Sequence, residues 1–423
     1  MLLQFSVNNF RSIKDTVTFS MNTTSNEASN HSFQARDYHL LNSAVIYGAN
    51  ASGKSNVLKA MSFMRNLVLN KPKITQSTDD LPHHPFRLNT ETEQASSYFE
   101  IVFFLEDVKY RYGFEADSTT VYAEWLYSDE KNKESRLFER DNEQNIHYVN
   151  KQKFKEGVGL KVLDNHLFIW KCDQNNGDIS KKILQWFNNF NLINGLENEG
   201  YLHIALKQME NTDAKSELLK LVKIADLGID EIEIEENDVP QDIIKNLPIP
   251  EELKQKMLDD GGVTTVELQT RHKKFSSKNQ PIGTVLFKLS EDESQGTQKF
   301  FALSAPILDT LDKGKVLLID ELDASLHPML TECFIKLFNN KELNKQNAQL
   351  VFVTHDIHLL SVPELFERDQ IWFTEKDQYG SSKLYSLLEF RKNNKGKDVR
   401  TTDNLEKHYL QGRYGAVPYI GEL

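Results

Sequence analysis

The sequence predicts an α/β protein built on a buried, mainly parallel sheet within a mixed sheet system, to which an antiparallel β meander and a mostly helical inserted arm are added. Three observations carry that prediction. Short apolar runs alternate with helical patterns in the last third of the chain, a glycine-rich loop follows one such run in the first third, and aromatic and β-branched residues crowd the region 97–138. Strands buried on both faces read as continuous apolar runs, and helices between them supply the crossovers that parallel pairing needs.

Taken in order, Leu3, Phe5 and Val7 alternate with polar neighbours, and so do Val17 and Phe19, which gives two strands joined by a turn over 9–15. A Ser/Asn/Thr-rich loop follows at 22–34. The run Ala44-Val45-Ile46-Tyr47 is a short buried strand, and after a glycine turn Val57, Leu58, Met61, Met64, Leu67 and Val68 keep helical spacing. Runs such as 98–104 and 110–114 form the meander. Residues 157–227 read as mostly helical, with Ile183, Trp186, Phe187 and Phe190 on one apolar face. The stretch 226–260, broken by Pro240, Pro248 and Pro250, reads as a solvated connection. Strands return at 263–270 and 283–289, followed by a helix, the strand Val316-Leu317-Leu318-Ile319, a second helix and the strand Leu350-Val351-Phe352-Val353. A sheet that begins near residue 1 and is completed after residue 280 divides the chain into a first head part (1–150), a helical arm with the acidic connection (151–260) and a second head part (261–423). Without sustained heptads, the insertion is an arm or lid, not a long coiled coil.

Composition narrows the class. With 39% hydrophobic residues in 423, the chain can bury a large core, and no run approaches the roughly 18 apolar residues of a membrane-spanning helix. Two distant cysteines, Cys172 and Cys333, point neither to a disulfide framework nor to a zinc site, which fits a reducing cytoplasm. The net charge of -12 is unevenly spread: between Asp226 and Asp260, twelve carboxylates face three lysines, so three quarters of it sits there. Two basic stretches lie outside that segment. Arg271, Lys273, Lys274, Lys278 and Lys288 have no acid among them, and Arg391 to Arg400 holds five bases against Asp398. DNA or RNA therefore stays open as a partner, with these stretches as the places to look.

The chemistry is concentrated in a few motifs. Gly48-Ala49-Asn50-Ala51-Ser52-Gly53-Lys54-Ser55 fits the phosphate-loop pattern between a predicted strand and a predicted helix, which continues with Asn56. Its glycines let backbone N–H groups turn toward phosphates at the positive end of the helix, Lys54 reaches the β- and γ-phosphates, and Ser55 offers a hydroxyl to Mg²⁺. The apolar strand at 316–319 ends in adjacent carboxylates: Asp320 is placed to hold the magnesium and Glu321 to polarise an attacking water. One strand later, Thr354-His355-Asp356 puts His355 where it can sense a γ-phosphate. ATP and Mg²⁺ are the expected cofactors.

Beyond these, Ser294-Gln295-Gly296-Thr297-Gln298 at the opening of a predicted helix resembles the signature motif of ABC-type ATPases, and Leu322-Asp323-Ala324-Ser325-Leu326-His327-Pro328 resembles their D-loop region. Asn9-Phe10-Arg11-Ser12 is similar to the start of RecF- and SMC-type ATPases. With Tyr112-Gly113-Phe114-Glu115 and the tail Tyr409-Leu410-Gln411-Gly412-Arg413-Tyr414-Gly415-Ala416, the ensemble most resembles the compact bacterial AAA/ABC-like ATPases of abortive-infection and anti-phage systems. The resemblance implies an ABC/SMC-head-like P-loop fold. It further implies a homodimer or higher oligomer with ATP sandwiched between subunits, Ser294 and Gly296 closing in trans over the γ-phosphate. By the same resemblance, Arg11 touches nucleotide phosphates and Asp323 communicates across the dimer. One departure stands out: no glutamine-loop residue follows the first helix, and His83-His84-Pro85-Phe86-Arg87 sits where one would be.

The function expected is an ATP-hydrolysing dimeric switch, the sensor of an anti-phage system. The chain shows no nuclease constellation, so a separate nuclease or toxin is the expected effector. Two other readings remain: a RecF/SMC-like DNA-binding ATPase of repair, and an ATP-bound scaffold with slow turnover.

Overall fold

The structure is a computed structural model and describes residues 1–23, 29–196, 199–209, 212–225, 227–259, 262–390 and 404–417. Contacts divide the chain into two compact units. The first comprises Met1–Gly195, Thr310–Ala324 and Phe334–Leu423; the second comprises Leu196–Asp309 and Ser325–Cys333.

The first unit contains, in order, β1 (Leu2–Asn8), β2 (Val17–Ser20), β3 (Ser32–Ala35), β4 (Tyr38–Leu41), β5 (Ser43–Gly48), α1 (Lys54–Val68), β6 (Ser97–Leu105), β7 (Val108–Ala116), β8 (Val121–Asp129), β9 (Glu134–Asp141), β10 (Ile146–Val149), α2 (Phe168–Gln174), α3 (Asp178–Asn188) and β11 (Phe190–Asn194). The second unit supplies α4 (Glu199–Met209), α5 (Thr212–Ile224), β12 (Glu231–Asp238), α6 (Gln241–Asn246), α7 (Glu251–Asp259), β13 (Thr264–Phe275), β14 (Pro281–Lys288) and the first part of α8 (Gln295–Lys313). The chain then gives β15 (Val316–Asp320), α9 (Pro328–Asn339), β16 (Gln349–Val353), β17 (Ile371–Lys376), β18 (Ser382–Ser386) and α10 (Leu405–Leu410).

Two sheets frame the first unit. One has the order β11-β15-β16-β5-β17-β18, with every neighbouring pair parallel except β17 and β18. Its central strands β5 and β16 are buried along their whole length, as expected of parallel strands covered on both faces. The other sheet is antiparallel, in the order β10-β9-β8-β7-β6-β1-β2. Their common core includes Val57, Met61 and Met64 of α1, Phe99 and Phe103 of β6, Phe187 of α3, and Leu318 and Val351 of the parallel strands. Aromatic stacking adds direction, with the Phe103 and Trp186 rings 4.0 Å apart. Gln349, fully buried at the start of β16, ties the sheets together: its side chain accepts from Leu2 N at 2.5 Å and donates to Leu2 O at 3.0 Å and Leu41 O at 3.1 Å.

Three expectations need correction. The N-terminal strands do not begin the parallel sheet; β1 pairs with β6, Val7 opposite Phe99, and so extends the meander. Alternation identifies a strand but not its partner, and β1 is buried on both faces: Phe5 and Val7 lie in the main core, while Leu3 packs in a smaller cluster with Phe33 and Leu40 of β3 and β4. Phe190 is not on a helical face: α3 ends at Asn188, and Phe190 opens β11, which pairs in parallel with β15 at Phe190↔Val316. The segment 151–195, assigned above to the arm, thus contributes a strand and two helices to the first unit.

The acidic stretch is also more ordered than a solvated connection. In the second unit, Glu231-Ile232-Glu233-Ile234-Glu235 alternates with period two and forms β12, the neighbour of β13 in the sheet β12-β13-β14. Ile232 is buried while Glu231 and Glu233 face Arg271, 3.3 Å from Glu231 and in still closer contact with Glu233. Lys273 pairs with Asp230 at 3.5 Å, and Lys288 with Glu267 at 3.2 Å. Within the basic stretch beginning at Arg271, Arg271 and Lys273 thus pair with the acidic stretch, and Lys288 with Glu267 of β13. The second basic stretch, Arg391 to Arg400, lies outside the described residues.

Candidate functional site

The phosphate-loop segment spans the end of β5 and the start of α1, and the neighbouring strands lock it. At Gly48, φ is 156° and an added Cβ would lie 2.5 Å from Thr374 O. At Gly53, φ is 104° and an added Cβ would lie 2.2 Å from Ser382 Oγ, so both conformation and space require glycine. Ser52 and Thr374 hydroxyls lie 2.6 Å apart, and the Ser382 hydroxyl lies 2.7 Å from both Ser52 O and Ser12 Oγ. Asn56 donates to Ser12 Oγ at 2.7 Å. No side chain caps the N-terminus of α1 and no acid occupies its first turn, so its leading N–H groups present a positive end to an anion.

Lys54 is buried and folds back on the loop, donating from Nζ to Gly48 O at 2.6 Å and Ala49 O at 3.0 Å. Burial lowers its pKa to about 8, although Asp320, Glu321 and Asp323 pull the other way. Ser55 donates to Asp320 Oδ1 at 2.9 Å. That hydroxyl and carboxylate form an all-oxygen pair of the kind a hard divalent cation takes, so the residues fit Mg²⁺.

Asp320 ends β15, and Glu321 follows in the left-handed region with φ 58°, a strained conformation for a residue with a Cβ. Gly195 donates its N–H to Asp320 O at 2.7 Å, and an added Cβ there would come 2.1 Å from Glu321 O. The Asp323 carboxylate accepts the His355 N–H at 3.3 Å from each oxygen, which fixes the backbone after β16. A cleft of about 830 Å³ is lined by Asn50, Ala51, Ser52, Gly53, Lys54, Ser55, Asn56, Glu321, His355 and Lys376. Residues far apart in sequence thus meet: the loop, the acid after β15 and the histidine after β16 share one space, with Asp320 joined to it through Ser55.

Arg11 lines a second cavity, of about 620 Å³, with His83, His84 and Arg87; Lys376 borders both spaces. The Arg11 N–H donates to His84 O at 2.7 Å, so the two segments singled out at residues 9–12 and 83–87 are neighbours. Burial holds the His83 and His84 imidazoles below their ordinary pKa, with Arg11 acting further on His84. Ser294 and Gly296 belong to the second unit. There Ser294 Oγ accepts the Thr297 N–H at 3.1 Å, capping α8, and an added Cβ on Gly296 would lie 3.1 Å from Ser325 O. The quoted tail packs on the first unit: Tyr409 and Tyr414 stack on Phe373 with centroids 5.7 and 5.5 Å away.

Sequence reading missed Lys376, Thr374, Ser382 and Gly195. Each acts across more than 100 residues of chain, and none stands in a motif. Only Ser12 had a local signal, the quartet beginning at Asn9.

The family model described as "AAA domain, putative AbiEii toxin, Type IV TA system" matches residues 43–361, from the start of β5 to beyond His355. No curated protein matches the sequence. Among solved structures, the SMC head domain from Thermotoga maritima is similar at 12% identity, covering 91% of this chain and 98% of that chain with a TM-score of 0.41. The recombination mediator protein RecF, described in the RecFOR pathway, is similar at 14% identity over 91% of this chain and 98% of its own, with a TM-score of 0.35. Both scores lie below 0.5, so the P-loop ATPase fold rests on the sheet order, the loop geometry and the family match. The chain belongs to this AbiEii-type AAA family.

Proposed function

We propose that this family member binds and hydrolyses ATP with Mg²⁺ as a switch between separate and paired copies. We propose further that it serves as the sensor of a prokaryotic anti-phage, abortive-infection system, acting on a separate nuclease or toxin. The observation that carries the enzymatic reading is the convergence of Lys54, Ser55, Glu321 and His355 on one cleft, with Asp320 bonded to Ser55. The family's toxin–antitoxin description supports the defence setting.

In this reading, Lys54 leaves Gly48 O and Ala49 O and turns its ammonium to the β- and γ-phosphates, while the uncapped N–H groups of α1 hold the phosphate oxygens. Ser55 Oγ and the Asp320 carboxylate would hold Mg²⁺, which would supply positive charge against the phosphates. The Glu321 carboxylate takes the proton of a water as its oxygen bonds to the γ-phosphorus and the bond to the ADP oxygen breaks. His355, its backbone fixed by Asp323, directs its imidazole to the γ-phosphate. Arg11 contributes positive charge from the adjoining cavity. Ser294 and Gly296 of one copy close over the phosphates held by another. Ser294 is exposed at the start of α8, available for such a contact.

The test is Glu321→Gln. Phosphate release should stop, and a nucleotide-bound dimer should accumulate on light-scattering chromatography, whereas Lys54→Ala should bind no nucleotide. Glu321→Gln protein that still turns over ATP sinks the enzymatic reading. One that behaves as wild type in assembly favours a scaffold. The defence role is tested in phage-challenged cells carrying the native operon, where Glu321→Gln should abolish protection.

A further inference from the structure

The residue before the signature serine is Glu293, and its carboxylate is held by β13. Glu293 Oε1 receives the Thr270 hydroxyl at 2.5 Å and His272 Nε2 at 2.7 Å. Thr270 and His272 are two positions apart on one strand, so they share a face. Thr270 is fully buried, and the His272 ring lies 4.7 Å from that of Phe287 on β14. Thr270 Oγ1 and His272 Nε2 are themselves 3.0 Å apart and both lie within hydrogen-bonding distance of the same carboxylate oxygen; the Nε2–H form of His272 is the one that lets both donate to it.

The rest of the connection between β14 and α8 is tied to itself and, at its start, to β13, where the Leu289 N–H donates to Leu268 O at 2.9 Å. Asp292 accepts the Lys288 N–H at 2.8 Å, Ser290 donates to Glu267 at 2.6 Å, and Gln298 donates to Glu293 O at 3.0 Å. Ser294 then caps α8 through Thr297. Ser290 and Leu289 fasten the start of this turn to the middle strand, and Glu293 fastens its end, next to Ser294. An apolar side chain in the same place would avoid the desolvation cost of a half-buried carboxylate. What two converging donors add is direction: they fix the carboxylate, and through one Cα the backbone that presents Ser294.

We infer that His272 and Thr270 are positioning residues for the signature segment, setting where Ser294 and Gly296 stand when a second copy presents its nucleotide. The inference rests on the two-copy reading above. His272→Ala is expected to lower kcat for ATP roughly tenfold while KM and the thermal midpoint stay near wild type. His272→Gln, whose amide can still donate to Glu293, should recover most of the loss. Thr270→Val, which removes one donor and keeps the shape, should lower kcat by roughly threefold.

The decisive measurement mixes variants. His272→Ala combined with Lys54→Ala should turn over more ATP than either alone, because a mixed pair has one complete site: the intact phosphate loop of the first with the intact signature of the second. Ser294→Arg combined with Lys54→Ala is the reference. If the reference mixture is active and the His272→Ala mixture turns over no more ATP than its components do separately, His272 does not act through the signature and the inference falls while the two-copy reading stands. A silent reference mixture overturns the two-copy reading and the inference with it. Wild-type kcat in both His272→Ala and Thr270→Val also overturns the inference.

Discussion

Gly195→Ala tests whether one backbone contact sets the position of both candidate acids. Gly195 follows β11 and reaches across to the end of β15, where its N–H donates to Asp320 O at 2.7 Å. An added Cβ would lie 2.1 Å from Glu321 O, 2.5 Å from Asp320 O and 2.8 Å from Glu321 C. Contacts below 3.0 Å do not occur for real Cβ atoms, so the strand end or Gly195 must retreat by about 1 Å. The nearby backbone links Asp320, bonded to Ser55 at 2.9 Å, to Glu321 in its strained conformation. A 1 Å displacement stretches the Ser55 contact beyond hydrogen-bonding range and moves Glu321 from its place in the cleft. Misplacement of that size costs about 100-fold in turnover, and overpacking costs about 1–3 kcal/mol in stability. Affinity for nucleotide without Mg²⁺ should change little, because Lys54 bonds to Gly48 O and Ala49 O and the loop is held by Thr374 and Ser382 on its other side. Phosphate release, binding of a fluorescent ATP analogue and circular dichroism on the same preparation separate these effects. Folded Gly195→Ala protein with kcat within threefold of wild type would falsify the claim that this approach positions the acids.

Further outcomes follow from the same geometry. Lys54 titrates at about 8 in the fold, below its usual 10.5, so burial disfavours its charged form; that penalty is fully present below about 8 and is relieved as pH rises from there toward 10.5. A bound triphosphate needs the ammonium, so binding near pH 8 should take up about half a proton and weaken above it; calorimetry in buffers of different ionisation heat reads this, and no proton uptake at pH 8–9 refutes it. Arg140→Leu removes the partner of fully buried Glu124, 3.3 Å away, and should cost about 3–5 kcal/mol by denaturant unfolding, with Glu124→Gln in the same chain recovering part; an unchanged midpoint in the single variant counts against the pair. Gly53→Ala should abolish nucleotide binding, and adding Ser382→Ala together with Ser12→Ala should not restore it, because the two hydroxyl contacts at 2.2 and 2.8 Å are removed while φ stays at 104° and Ser382 Cβ remains 2.9 Å away. Restored binding in the triple variant would show that space, not conformation, dictates that glycine.

The site was legible where local sequence and burial agree. The parallel strands β5, β15 and β16 stand out as apolar runs because both faces are covered, and each ends in a turn carrying chemistry, so Gly48 to Asn56, Asp320, Glu321 and His355 could be named from the chain alone. What escaped depends on which strand neighbours which. Lys376 borders the cleft, and Ser382 latches the loop, only because β17 lies beside β5 and β18 beside β17. Gly195 matters only because β11 is parallel to β15, a pairing hidden by reading Phe190 as the last of a helical set.

Charge shows the same limit from the other side. A net of -12 with an acidic block and a separate basic stretch suggests two surfaces with different partners, yet in the second unit they are adjacent strands. Glu231 lies opposite Arg271 in the β12–β13 register, and Glu233 reaches the same guanidinium. The alternation of glutamate and isoleucine at 231–235 was the available sign, since period two marks a strand with one wet face, and a wet face lined with carboxylates beside a basic strand pairs with it. These pairs are solvent-screened, so each holds its partner only weakly. They neutralise Arg271, Lys273 and Lys288 without locking them. A polyanion approaching this strand would therefore have to exchange each existing carboxylate for a phosphate at little net gain, so the basic stretch is a weaker nucleic-acid site than its count of lysines and arginines implies.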